Sequence, residues 1–223
     1  MLRGCTKTIS TLALATALVA AYPAKRLAAQ KVIDQFTSEN LRPSGIGIDF
    51  GVIGGSDIRG TGMGAVRLDF GTLAPHARVL LGVSYFRARL SNAALQRYAQ
   101  RVRSLITDPT GDDTVNLGRI EWSDLTADLD LQYLVPQSRA ITAYMGLGAS
   151  VHLRNGSGAA INGTFVEDAL DAITAGLNVT LGAEFGAGPV RLAIDARGVA
   201  ATGLSTIGVS AGLRYRWGGA APP

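Results

Sequence analysis

The stretch DLTADLDLQY, residues 124–133, alternates without exception between polar and apolar residues. A period of two residues places successive side chains on opposite faces of a β-strand. A helix repeats every 3.6 residues and would scatter both kinds of side chain around its axis. The stretch therefore predicts a strand with one apolar and one charged face.

The same alternation recurs in seven further segments, each bounded by glycine, proline or polar residues. The third segment is the least regular, because Leu80 and Phe86 interrupt its polar face. The predicted fold is all-β, an eight-stranded antiparallel up-and-down transmembrane β-barrel with a short helix in an extracellular loop. The eight predicted strands cover residues 45–53, 62–71, 77–89, 119–135, 140–154, 173–185, 190–197 and 206–217.

Connection lengths help to decide which face of the strands points inward, since soluble sandwiches and lipocalins also alternate. Short turns with Pro75, Pro136 and Pro189 join strands two to three, four to five and six to seven. The third-to-fourth and fifth-to-sixth connections are long. Short turns on one rim and long loops on the other are typical of outer-membrane barrels.

The polar faces carry similar numbers of acidic and basic residues among many glycines. The interior of an eight-stranded barrel is only wide enough for side chains to fill, and buried charges must be paired. A solvated face would need no such balance. We therefore expect an ion-pair network in the lumen, formed by Asp49, Arg67, Asp69, Asp124, Asp128, Asp130, His152, Arg154, Glu184, Arg191, Asp195, Arg197, Arg214 and Arg216.

Aromatic residues on the apolar faces fit the boundary between lipid and water. The last strand ends in Leu213, Tyr215 and Trp217 on its apolar face. The expected membrane-interface aromatics are Tyr85, Tyr133, Tyr215 and Trp217.

The first 29 residues have the pattern of a secretory signal peptide, with Arg3 and Lys7 ahead of an apolar stretch too short to span a bilayer as a helix. We expect a signal peptide at 1–29, a periplasmic leader at 30–43, the barrel at 44–217 and a tail at 218–223. Cys5 leaves with the signal, which excludes disulfides and cysteine-bound metals from the mature chain.

Removing the signal peptide also removes four of the 21 basic residues, which leaves 17 against 17 acidic residues. The mature chain is formally neutral and lacks the basic footprint of a nucleic-acid-binding protein. We expect no nucleic-acid partner and no cofactor.

The eight-strand pattern and the aromatic last strand resemble the small outer-membrane β-barrel superfamily, which includes the transmembrane domain of outer membrane protein A. The resemblance covers residues 44–217. It implies a bacterial outer-membrane location with both termini in the periplasm, contact with outer-membrane lipid and lipopolysaccharide, and recognition of the last strand by the barrel assembly machinery. Six residues follow Trp217, whereas an aromatic residue usually ends the chain in that family.

The long third-to-fourth loop begins with the potential helix caps Ser91 and Asn92 and continues with helical periodicity. Arg97, Arg101 and Arg103 lie along this helix. They could contact lipopolysaccharide phosphates. A solvated helix packed over the barrel mouth is the favoured interpretation.

Two further motifs in the loops have ordinary explanations. Asp108, Asp112 and Asp113 could bind a hard cation, but their spacing lacks the full calcium-loop pattern, so an ordinary turn is favoured. The glycine-rich segment 155–158 lacks the ending of a phosphate loop and is interpreted as a flexible loop.

The leading hypothesis is a non-enzymatic barrel with a structural, adhesive or surface-interaction role and a largely filled lumen; no extracellular ligand is identified. A lipid-modifying hydrolase is the first alternative. Residues 90–93 resemble the serine region of lipid A deacylases, but Arg89 replaces the motif histidine. Ser150 and His152 could also act together with Asp128 or Asp195, although neighbouring residues on one strand face are expected to diverge. A soluble periplasmic lipocalin-like binder is the second alternative.

Overall fold

Eight antiparallel strands close into a barrel in which each strand pairs with the next and β8 pairs with β1. The computed structural model describes residues 40–105, 118–163 and 170–217. Its elements are β1 (Leu41–Gly55), β2 (Thr61–Ala74), β3 (Ala77–Arg89), α1 (Asn92–Leu105), β4 (Glu121–Pro136), β5 (Ile141–Ser157), β6 (Ala172–Phe185), β7 (Val190–Ala201) and β8 (Leu204–Arg216). The predicted eight-stranded barrel with one loop helix is confirmed.

The strand faces follow from the alternation in the sequence. Apolar side chains point outward on every strand, and polar or charged side chains point inward. On β5, for example, Leu147 is 68% exposed while its inward-facing neighbour Tyr144 is 4% exposed. The outer belt includes Phe50, Val66, Val83, Leu129, Leu147, Leu177, Ile194 and Val209.

The two ends of the barrel differ. One end, here called the turn end, carries the short connections 75–76, 137–140 and 186–189, together with residue 40 and residue 217. The other, here called the cap end, carries connections 56–60, 90–120, 158–171 and 202–203. The β7–β8 connection at the cap end is as short as the shortest turn at the opposite end.

An apolar cluster closes the cap end, because helix α1 packs its apolar side across the mouth. The Ser91 hydroxyl accepts a hydrogen bond from the Ala94 amide at 3.2 Å, which caps the helix as the sequence predicts. Leu95 and Tyr98 pack from α1 onto the cluster. Its buried members are Ile58, Phe86, Ala88, Leu90, Ala94, Ile120, Trp122, Ile161, Leu170 and Leu204.

The irregular pattern of β3 now has an explanation. Leu80 and Phe86 are inward-facing residues that are 1% and 6% exposed, so they interrupt the polar face because parts of the interior are apolar. Phe86 belongs to the cluster at the cap end. Within the described residues, no helix is both long and apolar enough to cross a bilayer.

Candidate functional site

The fourteen residues expected in the lumen all lie on the inner face of the barrel. Twelve are buried, while the side chains of Arg197 and Arg216 are 12% and 22% exposed. The structure divides them into three groups: a central cluster, a cluster at the turn end, and a hydrogen-bonded chain nearer the cap end.

The central cluster joins opposite walls of the barrel. Asp49 on β1 accepts hydrogen bonds from Arg67 Nε at 2.9 Å and from Arg214 Nη2 at 2.9 Å. Asp128 on β4 accepts from Arg67 Nη1 at 3.2 Å and from Arg197 Nη2 at 2.9 Å. Arg197 also contacts Asp130, and Arg214 lies 3.7 Å from Asp195. The central strands are thereby tied together by charged hydrogen bonds, which are stronger than neutral ones.

The turn-end cluster contains Arg78, which the sequence analysis missed. Arg78 donates to Glu184 Oε1 at 2.6 Å and to Gln132 Oε1 at 2.6 Å, and it lies 3.6 Å from Asp69. Arg216 donates to the other oxygen of Glu184 at 2.9 Å. With Arg78 included, the lumen holds seven arginines and seven carboxylates among the described residues. Arg78 and Leu80 lie on the same inner face of β3. Alternation along this strand would have identified Arg78, but the apolar Leu80 hid the polar character of that face.

Inward-facing glycines provide the space for these large side chains. Gly212 pairs with Asp49, Gly82 with both Arg67 and Asp128, and Gly182 with both Tyr144 and Asp195. A Cβ on Gly212 would lie 2.8 Å from the Asp49 Cα, closer than real contacts allow. Each of these glycines therefore leaves the space that a large polar side chain on an adjacent strand occupies.

The third group is a hydrogen-bonded chain of a serine, a histidine and an aspartate. Ser150 Oγ lies 3.0 Å from His152 Nε2, and His152 Nδ1 lies 3.2 Å and 3.3 Å from the two carboxylate oxygens of Asp124. All three are buried. The expectation that Ser150 and His152 diverge is wrong, and the carboxylate beside the imidazole is Asp124 rather than Asp128 or Asp195.

Two features bring these side chains together. Side chains in strands lean along the strand direction, which lets His152 reach back toward Ser150. Gly176 on β6 pairs with Ser150, and a Cβ there would lie 2.9 Å from Ser150 Oγ and 3.1 Å from His152 Nε2. Asp128 pairs directly with Ser150 along the backbone, but its carboxylate is held by Arg67 and Arg197 instead.

A small interior cavity lies against this chain. Its volume is about 30 Å³, far below the size of small-molecule sites. Its lining includes Ser150, His152 and Asn178, with apolar side chains from Met63 and Phe86. Around this chain, side chains leave little free space in the lumen.

Helix α1 carries arginines on the outside of the cap. Arg97 pairs with Asp57, with about half of its side chain exposed, and Arg101 lies over the Tyr98 ring at 5.8 Å. Arg103 is exposed. The helix packs its apolar side chains on the cluster at the barrel mouth, while lipopolysaccharide contact by its arginines stays a prediction. Burial raises the pKa of the Tyr98 phenol, so the ring packs as a neutral group.

Other candidates from the sequence have structural explanations or lie outside the described residues. Ser91 is the helix cap and has no histidine beside it in the described part of the loop. Asp108, Asp112 and Asp113 lie outside the described residues. Among the residues that are described, no group of three or more metal-binding side chains is arranged to hold a metal.

The four aromatic residues expected at the membrane interface all face outward. Tyr133 and Tyr215 lie at the turn end, where Trp217 Nε1 donates to the Pro43 carbonyl at 2.9 Å. Tyr85 lies in the cap-end half of β3. They are between 39% and 53% exposed.

No protein family and no curated protein sequence matches this chain. Its structure is similar to that of Neisserial surface protein A, with a TM-score of 0.52 and 12% identity, over 78% of this chain and 96% of that one. The chain has the fold of the small eight-stranded outer-membrane β-barrels.

Two further solved structures align more weakly. The N-terminal β-barrel domain of Pseudomonas aeruginosa OprF aligns with a TM-score of 0.44 and 11% identity, over 78% of this chain and 98% of that one. The attachment invasion locus protein Ail of Yersinia pestis aligns with a TM-score of 0.43 and 11% identity, over 78% and 99%.

Proposed function

We propose that this chain spans the bacterial outer membrane and has a structural, adhesive or surface-interaction role. The observation that carries the proposal is the inverted distribution of side chains: apolar residues cover the outside of the barrel and ion pairs fill the inside. A soluble barrel with this outer surface would expose an apolar area far larger than soluble monomers tolerate. Strands of 12 to 17 residues exceed the length of about 9–11 residues needed to cross a bilayer.

The proposed orientation places both termini and the turn end in the periplasm, with the cap end outside the cell. Outer-membrane barrels have short periplasmic turns and longer external loops, and the two long connections lie at the cap end. The barrel assembly machinery is the proposed partner during biogenesis. Because the lumen is largely filled and the cap end is closed by apolar side chains, we expect no permanent pore for large solutes.

Membrane fractionation combined with gel mobility tests the location. We expect the protein in sedimented outer membranes and a shift in mobility between unheated and boiled samples, because closed barrels resist detergent until heated. Recovery in the soluble periplasmic fraction with identical mobility in both samples would contradict the proposal and favour the lipocalin-like alternative.

The arginines of α1 are the proposed contact with lipopolysaccharide. Arg97, Arg101 and Arg103 lie on a helix at the cap end, and guanidinium groups suit bidentate pairing with phosphate. Arg97 already has a carboxylate partner in Asp57, so phosphate would have to compete for this side chain.

Binding of lipopolysaccharide micelles to the detergent-folded protein tests this contact. The triple variant R97Q/R101Q/R103Q is expected to bind several-fold more weakly, with a smaller salt dependence. Arg139→Gln, in an exposed turn at the opposite end, is the matched control. Equal binding by the triple variant and the control would exclude α1 as the contact.

A further inference from the structure

The Asp124–His152–Ser150 chain is arranged to suit one tautomer of the histidine. Asp124 lies 3.5 Å from Arg154 Nε and beside His152 Nδ1, so an imidazole that carries its proton on Nδ1 has this carboxylate as its acceptor. Thr126 lies 2.9 Å from the same nitrogen and donates its own proton to Asp124. His152 Nε2 is then an acceptor, and the Ser150 hydroxyl donates to it. This is the arrangement in which a histidine acts as a general base toward a serine.

A buried amide donor lies diagonally across from the serine on the inner face. Asn178 on β6 is two residues beyond Gly176, the partner of Ser150, so Asn178 and Ser150 are diagonal neighbours on the inner face. Asn178 is 2% exposed, and its amide faces the Asp130 carboxylate without making a hydrogen bond of normal geometry. A buried amide donor of this kind can stabilise the oxyanion that forms when a serine attacks a carbonyl.

In the described part of the chain, the barrel wall has a gap next to this group. The β5–β6 ladder extends to the pair Arg154–Ala172, whereas the β6–β7 ladder extends only to the pair Gly176–Ala201. Residues 172–175 therefore have no ladder partner on the β7 side among the residues that the structure describes. Arg154 spans the gap, donating to Thr174 Oγ1 at 2.7 Å and to the Thr202 carbonyl at 3.1 Å.

The outer surface beside this gap has a shallow concavity. It is open to the outside, has a volume of about 670 Å³ and lies on the apolar face of the barrel. Its lining includes the small residues Ala149, Ala175 and Ala200 together with Leu177. Ser150 and Gly176 also belong to the lining. In a bilayer this surface faces the acyl chains of the lipids. Ser150 lies at the same height along the barrel, on the inner side of the wall.

We propose that Ser150 is the nucleophile of an acyl-ester hydrolase whose substrate is a membrane lipid that enters through the gap between β6 and the β7–β8 turn. The acyl chain lies in the outer concavity, and the ester carbonyl reaches Ser150 when Arg154 releases Thr174 and Thr202. His152 is the general base, Asn178 holds the oxyanion, and Asp124 is the positioning residue for His152. That the substrate is a membrane lipid rests on the outer-membrane location proposed above. The nucleophilic role of Ser150 does not depend on that location.

The reaction is a balanced two-step hydrolysis. Ser150 Oγ bonds to the carbonyl carbon while its proton moves to His152 Nε2, and the carbonyl electron pair moves to oxygen. The ester C–O bond then breaks, and the alcohol leaves with the proton from His152. Water attacks the acyl-serine in the same way, so ester and water become carboxylic acid and alcohol.

The test uses the mature protein folded in detergent micelles. A long-chain alkyl fluorophosphonate is expected to label Ser150, as located by peptide mass spectrometry. The folded protein is expected to hydrolyse p-nitrophenyl palmitate, with about a hundredfold or greater loss in Ser150→Ala and His152→Gln. The matched control is Ser210→Ala, because Ser210 is a buried lumen serine whose hydroxyl donates to Asp195 at 2.9 Å rather than to a histidine. The shift in gel mobility on boiling verifies that each variant is folded.

Release of fatty acid from phospholipid vesicles or from lipopolysaccharide distinguishes the two lipid sources, and either result supports the proposal. A second comparison tests the route of entry: Ala175→Phe should lower the ratio of palmitate to acetate ester turnover, whereas Ala196→Phe, at an outward position elsewhere on the barrel, should not. Absence of a Ser150 adduct on the folded wild-type protein, or turnover that persists in folded Ser150→Ala, would overturn the proposal. Neither result depends on where the protein resides in the cell.

Discussion

Arg214 on β8 and Asp49 on β1 form a bidentate ion pair across the seam that closes the barrel, with Arg214 Nη2 lying 2.9 Å from Asp49 Oδ2. The residues are 165 positions apart in the chain, and Asp49 is completely buried. The first and last strands are thus joined by a charged contact as well as by the backbone ladder.

Replacing Arg214 by Gln should destabilise the barrel strongly, because it leaves the buried Asp49 carboxylate with Arg67 as its one charged partner among the described residues. Loss of one member of a buried ion pair costs roughly 3–5 kcal/mol. Urea unfolding in micelles, followed by tryptophan fluorescence, measures the change. Arg139→Gln removes an exposed arginine and should leave the midpoint unchanged; equal midpoints for both variants would refute a stabilising role for the seam pair.

Gly212→Ala should destabilise the barrel through steric overlap with Asp49. The added Cβ has backbone within 2.8 Å, and overpacking of this kind costs about 1–3 kcal/mol. Gly198→Ala is the matched control, because a Cβ at Gly198 meets no atom within 4 Å. The temperature at which the folded band disappears from unheated gels should fall for Gly212→Ala alone. A similar loss in both variants would point to a general glycine effect rather than interlocking.

Ser91→Ala should loosen α1 because the Ala94 amide loses its capping oxygen. The expected cost is about 1 kcal/mol. Limited digestion of the folded protein with trypsin measures it, since Arg97 and Arg101 lie in the helix and should be cleaved faster when the helix frays. Ser91→Thr keeps the capping hydroxyl and should be cleaved at the wild-type rate. Unchanged cleavage in Ser91→Ala would show that packing alone holds the helix.

Leu147→Arg should destabilise the barrel in lipid, because Leu147 is 68% exposed on the outer face of β5. An arginine facing the middle of a bilayer costs about 2–4 kcal/mol in a β-barrel. The unfolding free energy in phospholipid vesicles measures the effect, and Leu147→Ala controls for the loss of the leucine. If the two variants were equally stable, Leu147 would not face the hydrocarbon.

The sequence was sufficient to predict strand number and facing, because alternation along a strand reports directly on its two sides. Asp124 through Tyr133 shows this without interruption. The prediction of lumen residues was incomplete on β3. There the buried apolar residues Leu80 and Phe86 share the inner face with Arg78, so the alternation did not reveal that arginine.

The contact between Ser150 and His152 could not be predicted from spacing, because it depends on a third residue on another strand. Gly176 leaves room for both side chains, and its pairing with Ser150 is known only from the register. The gap beside β6 has a similar origin: it arises from the two-residue β7–β8 turn, whose consequence for the wall appears only once the strands are paired.

The central claim is that the apolar face of the barrel contacts lipid, and fluorescence quenching by brominated lipids tests it most directly. Because the only cysteine is Cys5, which the signal peptide is expected to carry away, a single bimane label can be placed at Leu181→Cys on the outer belt or at Arg139→Cys in the turn. In vesicles brominated deep in the acyl chains, strong quenching at residue 181 and little at residue 139 is predicted. Equally weak quenching at both positions would contradict the account.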